Sequence, residues 1–314
     1  MKERFLVTGG AGFIGSHIVE RLVKDGHFVR VLDDFSSGKV ENLKPAGKKI
    51  DLIRGDISSR ATCLKATKGM DFILHQAALR SVPKSLDNPR RYNQVNIDGT
   101  LNMLEAARAN KVRRFVFASS SSIYGEAVSF PEKETDLPRL ISPYALTKLT
   151  GEYYCRIFTQ NFGLATVSLR YFNVFGPRQS LDDEYAVVIP KFISCMLKDQ
   201  PPPIFGTGRQ SRDFTYVDNV VDANVLAARK TAILEGIFNV ACGRNYSILY
   251  LVEALNRIMR KNIKPVFLAK RQGDVFKTHA DIGMAKRLLG CRVEVDFLEG
   301  LRETVAYFKE KENG

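Results

Sequence analysis

Short apolar runs punctuate the first half of the chain at residues 5–7, 28–32, 50–53, 72–74, 115–118 and 166–169. Short runs this rich in apolar residues suit strands covered on both faces, so they predict a buried parallel sheet. Most of the intervening segments carry apolar residues at helical spacing. Ile18, Val19, Leu22 and Val23 form one such face, and Leu101, Leu104 and Ala107 form another. Strand and helix in alternation predict an α/β fold, a Rossmann-type doubly wound parallel sheet.

The rhythm changes near residue 171. Pro177, Pro190 and the run from Pro201 to Pro203 break the chain around a helical stretch at 191–198. A tract at 214–217, a helix from about Val220 and an apolar run at 237–240 then restore the α/β pattern. The remainder reads as helical over 247–261, 281–289 and 298–309, with Ser247 and Asp281 as N-caps. The expected organisation is a dinucleotide-binding domain over 1–171, rejoined by about 214–241. Residues 172–213 and 242–314 then form a smaller, mostly helical C-terminal substrate domain.

Composition narrows the class. The 314 residues are 45% hydrophobic and 26% charged, which is ordinary for a soluble protein. No run approaches the roughly 18 apolar residues of a membrane span, and the start MKERFLV lacks a signal-peptide pattern. Five cysteines are scattered without a C-x-x-C, which points to a reducing, cytoplasmic setting. Four scattered histidines offer no metal spacing, so no metal is expected. The net charge is +13, but Lys and Arg interleave with acids throughout. That distribution suits a solvated basic surface or an aid to anionic substrates, and argues against a nucleic-acid partner.

Two constellations carry chemistry. TGGAGFIG follows the first predicted strand and opens the first helix. Gly9, Gly12 and Gly15 allow a tight turn and close approach of a pyrophosphate to the helix N-terminus, with Phe13 and Ile14 in the same turn. Asp33 ends the next strand, where a carboxylate binds both hydroxyls of an adenosine ribose and repels a 2′-phosphate; this favours NAD over NADP. Asp56 and Ile57 end the third strand where an adenine amino group would lie, and a plain turn role competes equally for Asp56. The second constellation is Tyr144 and Lys148, one helical turn apart on one face, with Pro143 placed to start the helix. An ammonium and a nicotinamide cation beside a phenol both lower its pKa, so Tyr144 is a candidate general base for a sugar hydroxyl.

With these residues in place, the chain resembles the extended short-chain dehydrogenase/reductases, and within them the nucleotide-sugar 4-epimerases. The likeness spans nearly the whole chain through TGGAGFIGSH, HQAALRSVPKS, NIDGT, SSSSIYG, SPYALTK, LRYFNVFGPRQ, GTGRQSRDFTYVDN and RQGDVFKTHAD. It implies that Ser120 is the catalytic serine, binding the sugar O4 beside Tyr144, and that Ala77 lies on the cofactor side. Ser119, Ser121 and Ser122 read as loop polarity, with Ser121 and Ser122 also candidate substrate contacts. The family's 4,6-dehydratases carry an Asp-Glu pair at the positions of Ser121 and Ser122, and its UDP-glucuronate decarboxylases a Glu at that of Ser122. Hydroxyls cannot do that acid/base work near neutral pH, so the serine run implies oxidation at C4 without elimination.

The resemblance also implies a UDP-sugar site. Arg212 and Arg271 would hold the diphosphate, Asn173 the diphosphate-sugar portion, Asp274 the uridine ribose and Phe205 the uracil. A surface role competes for each arginine, a turn for Asp274 and core packing for Phe205. Relatives restricted to plain hexoses have a tyrosine where this chain has Thr278, so the smaller residue implies room for an N-acetyl group. The expected reaction is NAD-dependent C4 inversion of UDP-GlcNAc/UDP-GalNAc, with UDP-Glc/UDP-Gal alongside. A UDP-glucuronate 4-epimerase and a non-catalytic nucleotide-sugar-binding regulator are the rivals. The family likeness further implies a homodimer formed through helices around 101–109 and 144–158.

Overall fold

The computed structural model describes residues 2–180, 188–270 and 275–313. Seven parallel strands form one sheet: β1 (Arg4–Thr8), β2 (Phe28–Asp33), β3 (Ile50–Arg54), β4 (Phe72–His75), β5 (Arg114–Ser120), β6 (Ala165–Tyr171) and β11 (Glu235–Val240). Their order is β11-β6-β5-β4-β1-β2-β3. This is the doubly wound arrangement read from the apolar runs, with all six first-half strands present and 237–240 joining the sheet at its edge.

The pleat divides the core in two. Phe5 and Val7 face one side with α1 (Phe13–Lys24) and α8 (Val217–Arg229). Leu6, Ile73, Phe115 and Phe117 face the other with α2 (Arg60–Thr67), α5 (Gly99–Ala109) and α6 (Pro143–Phe162). Successive strand residues point to opposite faces, so strands covered on both faces are rich in apolar residues throughout. Between β4 and α5 lie two short helices, α3 (Val82–Asp87) and α4 (Pro89–Tyr92), and a π-helical turn at Asn93–Asp98.

The C-terminal helices α7 (Val188–Leu197), α9 (Ile248–Met259) and α10 (Phe297–Asn313) are joined by three small strand pairs. These are β7 (Val174–Phe175) with β10 (Thr215–Tyr216), β8 (Pro203–Phe205) with β13 (Val266–Leu268), and β9 (Ser211–Arg212) with β12 (Tyr246–Ser247). Rings of Phe214, Phe297 and Tyr246 stack at their centre, 5.4 and 4.4 Å apart. One expectation changes here. The tract 214–217 is not a sheet strand: only Thr215–Tyr216 is extended, it pairs outside the main sheet, and α8 begins at Val217 rather than near Val220. Ser247 does cap α9, accepting from the Tyr250 amide at 3.1 Å. Asp281 accepts from the Gly283 amide at 2.7 Å ahead of a short segment that ends as a π-turn at Ala285–Leu289.

Candidate active site

Parallel strands put all their C-terminal ends on one edge, and the connections leaving that edge diverge between β1 and β4. A cleft of about 1440 Å³ opens there. It runs from the glycine turn past Ser120 and Tyr144 to Phe205, Arg212 and Thr278. Every described residue of the sequence-predicted site lines it: Gly9, Gly12, Phe13, Ile14, Gly15, Asp33, Asp56, Ile57, Ala77, Ser120, Ser121, Tyr144, Lys148, Asn173, Phe205, Arg212 and Thr278. Arg271 and Asp274 lie outside the described residues.

The glycine turn leaves no room for side chains. Gly9 has φ +64°, and a Cβ on it would stand 2.8 Å from the Ala77 amide nitrogen. A Cβ on Gly15 would stand 2.1 Å from the Gly9 carbonyl oxygen. The bare backbone and the N-terminus of α1 therefore face the cleft, an arrangement that fits a pyrophosphate. Asp33 accepts hydrogen bonds from the amides of Ala11 and Phe35, both at 2.8 Å. A carboxylate has about four acceptor positions, so two remain for ribose hydroxyls. Burial pushes the Asp33 carboxyl upward, and the two amides oppose it. Asp56 performs the competing turn role, accepting from the Ser58 amide at 2.7 Å, while it also lines the cleft.

At the far end of β5, α6 lies across the strand. Ser142 caps it, accepting from the Ala145 amide at 3.1 Å, with Pro143 as its first residue. Lys148 Nζ donates to the Ala118 carbonyl at 2.8 Å and stands 5.9 Å from the centre of the Tyr144 ring. Burial lowers the Lys148 pKa to about 8. Ser120 stands beside Tyr144 and accepts from the Ser122 hydroxyl at 2.9 Å. The tyrosine departs from expectation in the protein alone. Its pKa is raised, chiefly by burial, while Ser120 and the charge of Arg80 work against the rise. Lys148 is not among the groups that lower it.

The substrate half is built around Asp213, which no motif or spacing in the sequence singled out. Its carboxylate accepts from the amides of Cys242, Gly243 and Ala280 at 3.0, 3.1 and 3.2 Å. Its own amide donates to Thr278 Oγ1 at 3.1 Å, and Asn173 Nδ2 donates to the same oxygen at 2.9 Å. Arg212, the next residue back, donates to the Ser211 carbonyl at 2.8 Å. Among the described residues, the acids of the cleft wall are Asp33, Asp34 and Asp56, all at or just beyond the ends of β2 and β3. The other half carries cations, including Arg80, Lys191 and Arg212. Tyr92, also unforeseen, sets its ring edge-on to Tyr144 at 6.5 Å and donates its hydroxyl to the Arg80 carbonyl. Tyr171 bonds Gln76 and Asn224, and Arg178 bonds Glu20 and Ser16, so both act as braces.

A glycine-cradled helix end and a serine–tyrosine–lysine group at one cleft of a doubly wound sheet define a dinucleotide-dependent enzyme of the short-chain dehydrogenase/reductase type. Within that class the chain belongs to the NAD dependent epimerase/dehydratase family, whose model matches residues 5–241. A putative UDP-glucose 4-epimerase of Methanocaldococcus jannaschii is 37% identical over 306 residues, covering 97% of this chain and 98% of its own. A UDP-N-acetylglucosamine 4-epimerase from Methanobrevibacter ruminantium M1, solved in complex with UDP-N-acetylmuramic acid, is 42% identical. It superposes with a TM-score of 0.94, covering 99% of this chain and 100% of that one. The UDP-glucose 4-epimerase of Thermus thermophilus, solved with NAD, is 39% identical with a TM-score of 0.88, covering 98% and 99%.

Proposed function

We infer that this protein is an NAD-dependent UDP-sugar 4-epimerase. The observation that carries the reading is the wall beside Tyr144. Ser120, Ser121 and Ser122 present hydroxyls there, where elimination or decarboxylation would need carboxylates. NAD, when bound, supplies acceptance and return of hydride at C4. Tyr144 takes the O4 proton and later returns it, and Ser120 holds O4 against the phenol. Lys148 keeps a positive charge near the ring below about pH 8, which favours the phenolate. The cations on the wall of the substrate half support a nucleoside diphosphate there, with Arg212 and Arg271 on the phosphates, Asn173 beside them, Phe205 at the uracil and Asp274 at the uridine ribose.

UDP-GlcNAc and UDP-GalNAc are proposed as substrates alongside UDP-Glc and UDP-Gal, because Thr278 is short where it lines the cleft. The two-part organisation follows: 1–171 with 214–241 for NAD, and 172–213 with 242–314 for the sugar nucleotide. No helix among the described residues is long and apolar enough to cross a membrane; we place the enzyme in the cytoplasm, as a homodimer. The test is proton NMR of the purified protein with UDP-GlcNAc, UDP-Glc and UDP-glucuronate in separate tubes. C4 inversion of the first two is expected. Tyr144→Phe should lower turnover by about 10²–10⁴-fold, the usual worth of a general base. Inversion of UDP-glucuronate alone would transfer the assignment to the uronate enzyme, and no inversion of any sugar would remove it.

A further inference from the structure

The serine that binds O4 is the end of a strand, and both of its flanks are tied to one buried ion pair. On one side, Ser119 is 3% exposed and donates its hydroxyl to Glu152 Oε1 at 2.5 Å. On the other, Tyr124 closes the 3-10 turn Ser121–Tyr124 and is 2% exposed. Its hydroxyl donates to Asn239 Oδ1 at 2.6 Å and accepts from Arg170 at 2.9 Å. Arg170 grips Glu152 through two bonds of 2.8 and 2.7 Å, and both side chains are almost fully enclosed.

Glu152 lies one turn beyond Lys148, which lies one turn beyond Tyr144. Residues 144, 148 and 152 therefore make one stripe of α6. Each faces a consecutive residue of β5: Lys148 bonds the Ala118 carbonyl, Glu152 bonds the Ser119 hydroxyl, and Tyr144 lies near enough to Ser120 for the serine to oppose the rise in its pKa. Arg170 sits directly beside Ser119 in the sheet register. Burying a charge pair does not by itself stabilise a fold, since apolar residues of the same size often do as well. Here the bonding capacity left over after the pair forms goes to the two residues that bracket 120–123.

We propose that Glu152 and Arg170 are positioning residues, which clasp Ser119 and Tyr124 and so set the reach of the Ser120 hydroxyl to Tyr144 and the sugar O4. The catalytic consequence rests on the epimerase reading; the geometric one does not. Ser119→Ala and Tyr124→Phe test it, singly and together, because they cut the clasp while leaving the ion pair and the side-chain shapes in place. Hydrogen exchange is measured on the amides of Ser122 and Gly125, which donate to Ser120 Oγ and to the Ser122 carbonyl. Exchange there should quicken in each variant and most in the double variant, with β1, β2 and β4 unchanged. With UDP-Glc and UDP-GlcNAc, kcat should fall by about 10- to 100-fold, as for an ångström-scale misplacement, while KM stays within about twofold. Unchanged exchange in this turn with wild-type kcat would overturn the proposal, and so would a loss expressed in KM alone. If the wild-type protein inverts neither sugar, the exchange result still decides the clasp, and it is the epimerase reading that falls.

Discussion

The Thr278 hydroxyl accepts two hydrogen bonds, from the Asp213 amide and from Asn173 Nδ2, and the residue is 6% exposed. Its size and its oxygen therefore do separate things. Its shortness is what the proposed N-acetyl specificity rests on, and its oxygen orients Asn173, whose backbone sits at φ +33°. Two substitutions separate these roles. Thr278→Tyr should reduce kcat/KM for UDP-GlcNAc by about tenfold or more relative to UDP-Glc, since an acyl group and a ring compete for one space. Thr278→Val keeps the size and orphans two donors, at a cost of about 1–3 kcal/mol. It should affect both sugars equally. Equal effects of Thr278→Tyr on the two sugars would remove the specificity role.

Helix α6 packs one side against the sheet and shows the other to solvent. Its catalytic stripe faces β5. Between that stripe and the sheet, Gly151 lets the helix sit close, because a Cβ there would lie 2.3 Å from the Phe117 ring. That ring also lies 5.1 Å from Lys148 Nζ, so the approach of helix to strand and the placing of the lysine are one feature. The outer side shows Leu146, Tyr153 and Ile157, which are 50%, 54% and 44% exposed and spaced to form a single stripe. Such a stripe on a helix that is otherwise packed supports pairing with a second copy. Sedimentation should read a mass twice the 35.3 kDa of the chain. Tyr153→Lys with Ile157→Lys should give a monomer, whereas a monomeric wild-type protein would exclude this interface.

At the scale of the whole molecule, four largely enclosed titrating groups pull in opposite directions. Burial raises Glu132 and Asp213 to about 7. Between an unfolded pKa near 4 and about 7, the folded chain holds protons that the unfolded chain has released. Their contribution is thus present at low pH and lost as pH rises through 7. Burial lowers His17 to about 4 and His75 to about 3. The folded chain refuses protons that the unfolded chain takes up near 6.5, so their contribution is present above 6.5 and lost as pH falls. The two effects offset each other between about pH 4.5 and 6.5. Glu132→Gln removes one carboxyl while keeping an oxygen for the His279 amide, which now donates at 2.6 Å. Thermal melts should show this variant stabilised by about 1–3 kcal/mol at pH 8, with the advantage fading towards pH 5. A gain independent of pH would mean that Glu132 is not the group titrating.

Much of this was legible in the chain because it is local. The apolar runs report strands covered on both faces, and the glycines of TGGAGFIG report a backbone turn. The four-residue spacing of Tyr144 and Lys148 reports one helix face. Asp33 could be placed because it ends the strand after the glycine turn, and Ser120 because the family resemblance points to it. Other features depend on partners far apart in sequence. Ser119 read as loop polarity, yet it meets Glu152, 33 residues on, and Arg170 meets Glu152 from a neighbouring strand. Asp213 joins segments around 173, 242 and 279 that no periodicity links. The raised pKa of Tyr144 was likewise beyond reach, because spacing reveals the neighbouring lysine but not the loss of water around the phenol. The sequence by itself determined the sheet, the cofactor turn and the catalytic pair, since each is written within a few residues. The tertiary structure alone decided which buried groups hold those residues in place, since hydrogen-bond partners and desolvation exist only once distant segments pack together.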